Sequence, residues 1–324
     1  MTAAPIAAET AIIVRVRLPE ALEALRLGEV PNPARGLPAH VTLLYPFARP
    51  AALDGQLRSA VARVVEPHRA FAYRLSGPAR RPEVLFASVE PEGPFRSIYR
   101  DLAAAFPGFP IYGGGLEFEP HVTIAEGAPA GLARLEASPA WASMPATGAA
   151  GSVELIALED ERWATKWRFP LRPAVRVLVC GERLRGDDGA AERAIGVLDA
   201  ETRSLVEVVE VGQLSVEALL DVPGDVAVVV VDAAVGVFAG GVVTLPIEVV
   251  AGAQGAMPAS SHALPPDQVV GLAAEIRGAP LRGSFVGIGA ADFDFGERLS
   301  PAVEAGLPAF AAAIAAEIRR LAGD

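Results

Sequence analysis

GLPAHVTLLYPF, residues 36–47, and FEPHVTIAEG, residues 118–127, carry one pattern twice: His-Val-Thr leading into an apolar run. The chain holds four histidines, His40, His68, His121 and His262, and only eight threonines. Two of the four histidines have a threonine two places on, a coincidence that composition alone seldom produces. On a strand, residues i and i+2 share a face. His40 and Thr42 therefore point one way, and so do His121 and Thr123. Two such strands, one in each half of the first 173 residues, predict two related α+β lobes meeting at a shared cleft.

The flanking sequence supports this. Strands are expected at AIIVRVRL (11–18), at the pair AFAYRLSG (70–77) and EVLFASVEP (83–91), and at VELIALEDE (153–161) and TKWRFPL (165–171). Helices are expected at PEALEALRLG (19–28), over 51–65 and at PFRSIYRDLAAAF (94–106). The Ala/Pro/Gly-rich stretch 126–151 reads as a long surface segment. His68 reads as a surface residue at a helix end, and Trp163 and Trp167 read as packing residues.

The character changes near residue 173. VRVLVC (175–180) and VAVVVVDAA (226–234) are continuous apolar runs, as strands covered on both faces require. LVEVVEVG (205–212), IEVVAGA (247–253) and SFVGIGA (284–290) are further strands. AAERAIGVLDAE (190–201) and PPDQVVGLAAEIRG (265–278) are helices, and Ser300-Pro301 opens a final long one. The alternation predicts an α/β three-layer domain with a mostly parallel sheet. The expected organisation is thus a bilobal α+β domain at 1–173 and an α/β domain at 174–324.

Composition agrees and excludes. With 52% apolar and 21% charged residues the chain is globular. The net charge of −11 lies wholly in the second part: residues 1–173 balance 18 basic against 18 acidic groups, and residues 174–324 hold 10 against 21. Neither part is basic, which excludes tight binding of duplex DNA. The run 226–243 is broken by Asp232 and by glycines and does not read as a membrane span. The opening, interrupted by Glu9, Arg15 and Arg17, does not read as a signal peptide. One cysteine, Cys180, allows no internal disulfide and no cysteine-based zinc site, and points to the cytoplasm.

Paired imidazoles and hydroxyls facing one cleft suit phosphodiester cleavage without a metal. One histidine is a general base on the nucleophile, and the other protonates the leaving oxygen. The threonines donate to phosphoryl oxygens as charge develops. These two motifs resemble the H-x-T/S pairs of the two-histidine (2H) phosphoesterases, the superfamily of 2′-5′ RNA ligase-like proteins. The resemblance covers about residues 10–172. It implies a bilobal fold and activity on RNA or nucleotides bearing 2′-5′ or cyclic phosphodiesters. It makes His40 and His121 catalytic, with Thr42 and Thr123 on the phosphate. Arg35, just before the first motif, is a further candidate for the phosphate.

The second half gathers carboxylates on loops. GERLRGDDG puts Asp187 and Asp188 between the first strand and a helix, where they are placed to cap that helix. VAVVVVD ends at Asp232, and SSHALPPD offers His262 before a helix. Carboxylates and an imidazole on one sheet edge are candidate ligands for nickel or zinc. VLVCGERLRGDDGAA, VAVVVVDAAVG, SSHALPPDQVVGLA and FVGIGAADFDFGERLSPAVEAGLPAF are similar, in order, to the blocks of the hydrogenase maturation proteases, over 175–320. The resemblance implies an endopeptidase acting on the C-terminus of a [NiFe]-hydrogenase large-subunit precursor. It implies nickel held by Asp188, Asp232 and His262. The sequence departs from the family at Glu182, where an asparagine is usual, and at Ala191, where a glycine is usual. Glu182 adds negative charge near the site. The alternative to a bifunctional hydrolase is that one domain, the second before the first, serves as a metal- or peptide-binding module.

Overall fold

Each His-Val-Thr motif begins an edge strand. The computed structural model describes residues 9–29, 36–111, 117–252 and 265–323. The chain divides into two units, Met1–Arg172 and Pro173–Asp324.

The first unit holds β1 (Thr10–Arg15), β2 (His40–Leu44), β3 (Phe71–Arg81), β4 (Val84–Glu90), β5 (His121–Glu126), β6 (Ala146–Ala150), β7 (Ser152–Glu159) and β8 (Arg162–Pro170). Its helices are α1 (Glu20–Glu29), α2 (Gly55–Val65), α3 (Glu92–Ala105) and α4 (Pro129–Glu136). The strands form two four-stranded antiparallel sheets, β2-β1-β7-β8 and β5-β4-β3-β6. β2 is the edge of one and β5 the edge of the other, so the internal echo in the sequence is an echo in topology. Val41 and Leu43 on β2 are buried on the face opposite His40, and Val122 and Ile124 on β5 are buried opposite His121. Full burial of such side chains stabilises by roughly 1.5–3 kcal/mol each, and it anchors both strands with their histidines on the other face.

The stretch 126–151 is not one surface segment. Pro129 sits in the first turn of α4, Ser138 caps a short 3₁₀ turn, and β6 pairs with β3. Trp141 is buried there and donates its indole N–H to the Leu135 carbonyl at 3.1 Å. Small residues spaced this way hide a strand because they show no apolar alternation. His68 is not a bare surface residue either: its side chain is only 12% exposed and pairs with Asp101 at 3.1 Å.

The second unit has β9 (Val175–Cys180), β10 (Val206–Gly212), β11 (Ala227–Ala234), β12 (Val242–Pro246) and β13 (Gly283–Gly289). The sheet order is β10-β9-β11-β13-β12, parallel except for the β12–β13 pair. Its helices are α5 (Ala190–Gly196), α6 (Ala200–Arg203), α7 (Val216–Leu220), α8 (Ile247–Gly252), α9 (Pro266–Arg277) and α10 (Pro301–Gly323). α7, α8 and α9 pack Leu219, Ile247, Val250, Val269 and Val270 against Leu178, Val228, Val230 and Phe285. α5 and α10 pack on β9, β11 and β13 with the alternate residues. α10 is long and apolar enough to cross a bilayer, yet Val303, Phe310, Ile314, Ile318 and Leu321 are buried within the unit.

Two expectations fail here for local reasons. IEVVAGA is not a strand: Pro246, lacking an N–H for the ladder, ends β12, and residues 247–252 turn into α8. The run 190–201 is two helices: α5 ends at Gly196, and Asp199 starts α6 by accepting the Thr202 amide at 2.9 Å as its N-cap.

Asp187 does not cap the helix that follows it. α5 has Gly189 at its N-cap and no side-chain cap. The Asp187 carboxylate is fully buried and reaches across the unit, accepting the amides of Ala291, Asp292 and Ser300 at 3.0, 3.0 and 2.6 Å and the Ser300 hydroxyl at 2.9 Å. Burial opposes its charge, but these donors outweigh that and hold the carboxyl below its usual range. It therefore pins the loop after β9 to the start of α10. Asp187→Ala, which orphans these buried donors, is expected to cost about 3 kcal/mol or more. Because the folded carboxyl is depressed, its contribution is complete above the ordinary aspartate range and disappears as pH falls through the depressed value. Thermal melts of wild type and variant should therefore converge as the buffer is taken toward strong acid.

Candidate functional site

In both motifs the histidine is held by the backbone two residues before it. His40 Nδ1 lies 2.7 Å from the Pro38 carbonyl, and His121 Nδ1 lies 2.7 Å from the Glu119 carbonyl. A carbonyl only accepts, so each Nδ1 carries the proton and each Nε2 is left with its lone pair. The Thr42 hydroxyl sits 3.1 Å from His40 Nε2 and donates to it. Thr42 and His121 line one small pocket with Arg81, Ile111, Glu117, Phe118 and Glu119. The pocket joins the two sheets through their motif strands: Thr42 comes from β2 and His121 from β5. Thr123 lies on β5 two places beyond His121, opposite Phe86 of β4.

The electrostatics favour neutral imidazoles in the free protein. Burial lowers His40 to about 4, against the Pro38 hydrogen bond, with Arg26, His121 and Arg15 adding positive potential. His121 is lowered as well, again chiefly by burial, but Glu119 and Glu126 pull it back up. The two rings are thus unequal: His40 resists a proton more strongly.

Several residues at the site escape sequence reading. Arg26, on α1, is buried, forks onto Glu23 and donates to the Leu37 carbonyl at 3.1 Å, which steadies the turn before His40. Arg81 pairs with Glu119 and lies 5.5 Å over the Phe86 ring, which in turn stacks edge-on with His121 at 5.1 Å. Nothing in local spacing marks them. Arg35 lies outside the described residues.

In the second unit the structure separates the two adjacent acids. Asp187 is the buried latch described above, whereas Asp188 is half-buried and accepts the Glu182 amide at 2.8 Å. Gly181 has φ +101, and a Cβ there would collide with the Asp188 carbonyl, so only glycine lets the loop fold over Asp188. The Glu182 side chain turns back to its own loop, accepting the Leu184 amide at 3.4 Å. Asp232, at the end of β11, accepts the Ala233 amide at 2.8 Å. Burial pushes its carboxyl up to about 7, and the Asp188 charge adds to this. The same two carboxylates help raise the Cys180 thiol, after burial, well above its usual value. Neither carboxylate has an arginine or lysine ion pair among the described residues. Two oxygen donors without a counter-charge fit a divalent cation. His262, the expected third ligand, lies outside the described residues, and among the described ones no three His, Cys, Asp or Glu side chains gather as a metal site.

Residues 14–161 match the family model of the 2′-5′ RNA ligase superfamily. That span lies within the first unit, and solved hydrogenase maturation proteases match over the C-terminal portion of the chain. Among solved structures, the [NiFe] hydrogenase maturation protease HybD from Thermococcus kodakarensis is 26% identical, over 46% of this chain and 98% of that one, with TM-score 0.37. The hydrogenase maturating endopeptidase HybD from E. coli is 21% identical, over 45% and 93%, with TM-score 0.38. TT0787 of Thermus thermophilus is 24% identical, over 51% and 98%, with TM-score 0.34. No curated protein matches the chain.

The ring assignment is open to direct measurement. In the free protein at pH 7 the imidazole ¹⁵N shifts should place the proton of both rings on Nδ1. The His40 titration should have its midpoint near 4. A midpoint near 6.5 would contradict the burial of His40, and an Nε2-protonated ring would contradict the hydrogen-bond assignment.

Proposed function

We propose that the protein is a bifunctional hydrolase in the cytoplasm. Its first unit is a metal-independent phosphodiesterase acting on 2′-5′ or 2′,3′-cyclic phosphodiesters of RNA or nucleotides. The observation that supports this is the matched pair of Nε2 lone pairs, each set by a carbonyl two residues upstream, on motif strands that share a pocket.

The roles follow from the inequality of the rings. His40, harder to protonate, is the base, and His121, supported by Glu119 and Glu126, is the acid. In hydrolysis of a cyclic phosphodiester, His40 Nε2 removes a proton from water as its oxygen bonds to phosphorus. The bond from phosphorus to the leaving 2′ or 3′ oxygen breaks, and protonated His121 Nε2 gives that oxygen its proton. Both Nδ1 protons stay on their carbonyls. Thr42 turns from His40 to a phosphoryl oxygen, and Thr123 serves another.

Purified protein in EDTA should hydrolyse a 2′,3′-cyclic nucleotide or a 2′-5′-linked dinucleotide. His40→Ala and His121→Ala should each lose about 10²–10⁴-fold. The pH dependence of kcat/KM has a defined sign. Activity needs His40 neutral and His121 protonated, so it should peak between about 4 and the ordinary histidine value of 6.5 and fall on either side. Activity that rises steadily to alkaline pH, or survives both substitutions, would refute the pairing.

For the second unit the same proposal is an endopeptidase that trims the C-terminus of a [NiFe]-hydrogenase large-subunit precursor and senses its nickel. Asp188 and Asp232, with His262, would hold the ion, whose positive charge would relieve the two uncompensated carboxylates. Nickel titrated into the protein should bind at one site per chain. Binding should be lost in Asp188→Asn, Asp232→Asn and His262→Ala, with phosphodiester hydrolysis untouched. Nickel binding without cleavage of a precursor peptide would favour the second reading, a metal- or peptide-binding module, which the altered loop residue Glu182 supports.

A further inference from the structure

Arg15 on β1 is the register partner of His40 on β2. Further along, Ile13 of β1 pairs with both Thr42 and Glu154, and Glu154 of β7 pairs with Arg168 of β8. Partners directly opposite on antiparallel strands share a face. Arg15, Glu154 and Arg168 therefore continue, across the sheet, the face that carries His40 and Thr42.

The three side chains form a locked cluster. Glu154 Oε2 accepts from Arg15 Nη2 at 2.9 Å and Nε at 3.3 Å, and Oε1 accepts from Arg168 Nη2 at 2.9 Å and Nε at 3.1 Å. The Thr165 hydroxyl adds a bond to Oε2 at 2.9 Å. The Glu154 side chain is 2% exposed, whereas Arg15 and Arg168 are 47% and 63% exposed. Burial works against the Glu154 charge, but its arginine and threonine donors hold the carboxyl below its usual range.

A single arginine would satisfy this carboxylate. The second leaves one positive charge in excess on the face of the candidate site, in a unit whose 18 basic and 18 acidic groups balance overall. The Nη1 group of each guanidinium has no hydrogen-bond partner among the described residues and is free to donate. Their Nε and Nη2 edges are spent on Glu154, and Arg15 Nη2 also donates to Thr165 at 3.1 Å, so two fixed guanidiniums side by side offer their Nη1 groups to the oxygens of a phosphate. Strands in a sheet lie about 4.8 Å apart, so Arg15 is one strand from His40 and Arg168 is three, roughly 5 to 14 Å across the sheet.

We propose that Arg15 and Arg168, held in place by Glu154, form a subsite for a second, non-scissile phosphate of the substrate. The preferred substrate is then an oligonucleotide or a phosphorylated nucleotide, not a bare dinucleoside linkage. This rests on the phosphodiesterase reading of His40 and His121 and adds to it. Glu154 is a positioning residue, because it acts through the two guanidiniums.

The test compares three ligands: 2′-5′-linked diadenosine, the same molecule with a 5′-phosphate, and the 2′-5′ triadenosine with its second diester. Calorimetric binding and turnover are measured for each with wild type, Arg15→Gln, Arg168→Gln and Glu154→Gln, after thermal melts confirm folding. Wild type should bind the phosphate-bearing ligands about tenfold more tightly than diadenosine, and either arginine variant should collapse that ratio toward one. A preference for the 5′-phosphate alone identifies a monoester pocket; a preference for both identifies a strand-tracking one; each supports the subsite. Glu154→Gln should also lower the ratio, although it makes the patch more positive; simple charge attraction would raise it. A wild-type ratio near one, or equal weakening of all three ligands in the arginine variants, overturns the subsite. Phosphate-dependent binding without turnover would leave the subsite standing and sink the hydrolysis reading. Turnover with a ratio of one would do the reverse.

Discussion

A backbone carbonyl can accept a hydrogen bond and cannot donate one, and the first unit is organised around that constraint twice. The carbonyls of Pro38 and Glu119 each take the Nδ1 proton of a histidine two residues on. This decides the tautomer, restrains the ring plane and leaves the Nε2 lone pair in both lobes. The arrangement works only on a strand whose opposite face is anchored. Val41 and Leu43, and Val122 and Ile124, supply that anchor by burying every other side chain. The Nδ1 anchor is the same in both lobes, and the rest differs: Thr42 bonds His40 Nε2 at 3.1 Å. Arg26 and Arg15 raise the potential at His40, whereas Glu119 and Glu126 lower it at His121. One repeated device thus sits in two different electrostatic settings.

The second unit uses adjacent side chains for opposite purposes. Asp187 is fully donated to and charged, a buried latch between the loop after β9 and the start of α10. Asp188, the next residue, accepts the Glu182 amide and lies close enough to Asp232 to help raise its carboxyl. The latch ties the loop that carries Asp188 to Ala291, Asp292 and Ser300. Gly181 contributes from the other side, because any side chain there would strike the Asp188 carbonyl.

Much of this was legible in the sequence. The two His-Val-Thr motifs stood out because histidine and threonine are both scarce, and period-two alternation told which way they face. The parallel core of the second unit was legible in the continuous valine runs of β9 and β11. What was not legible depended on partners distant in the chain. The split between Asp187 and Asp188 is decided by residues 291–300, and Glu154 meets Arg15 across 139 positions. IEVVAGA has strand-like composition, and only the proline before it tells that a helix begins. The β6 strand is built of Ala, Thr and Gly, which carry no apolar rhythm.

The proposed division of proton transfers between His40 and His121 can be read from the dependence on the leaving group. A nucleoside phosphodiester with a p-nitrophenyl leaving group departs without needing a proton. On this substrate His121→Ala should recover most of the activity it loses on a dinucleotide, while His40→Ala, which lacks the base, should remain defective. Equal defects of both variants on both substrates, or recovery of His40→Ala alone, would contradict the assignment.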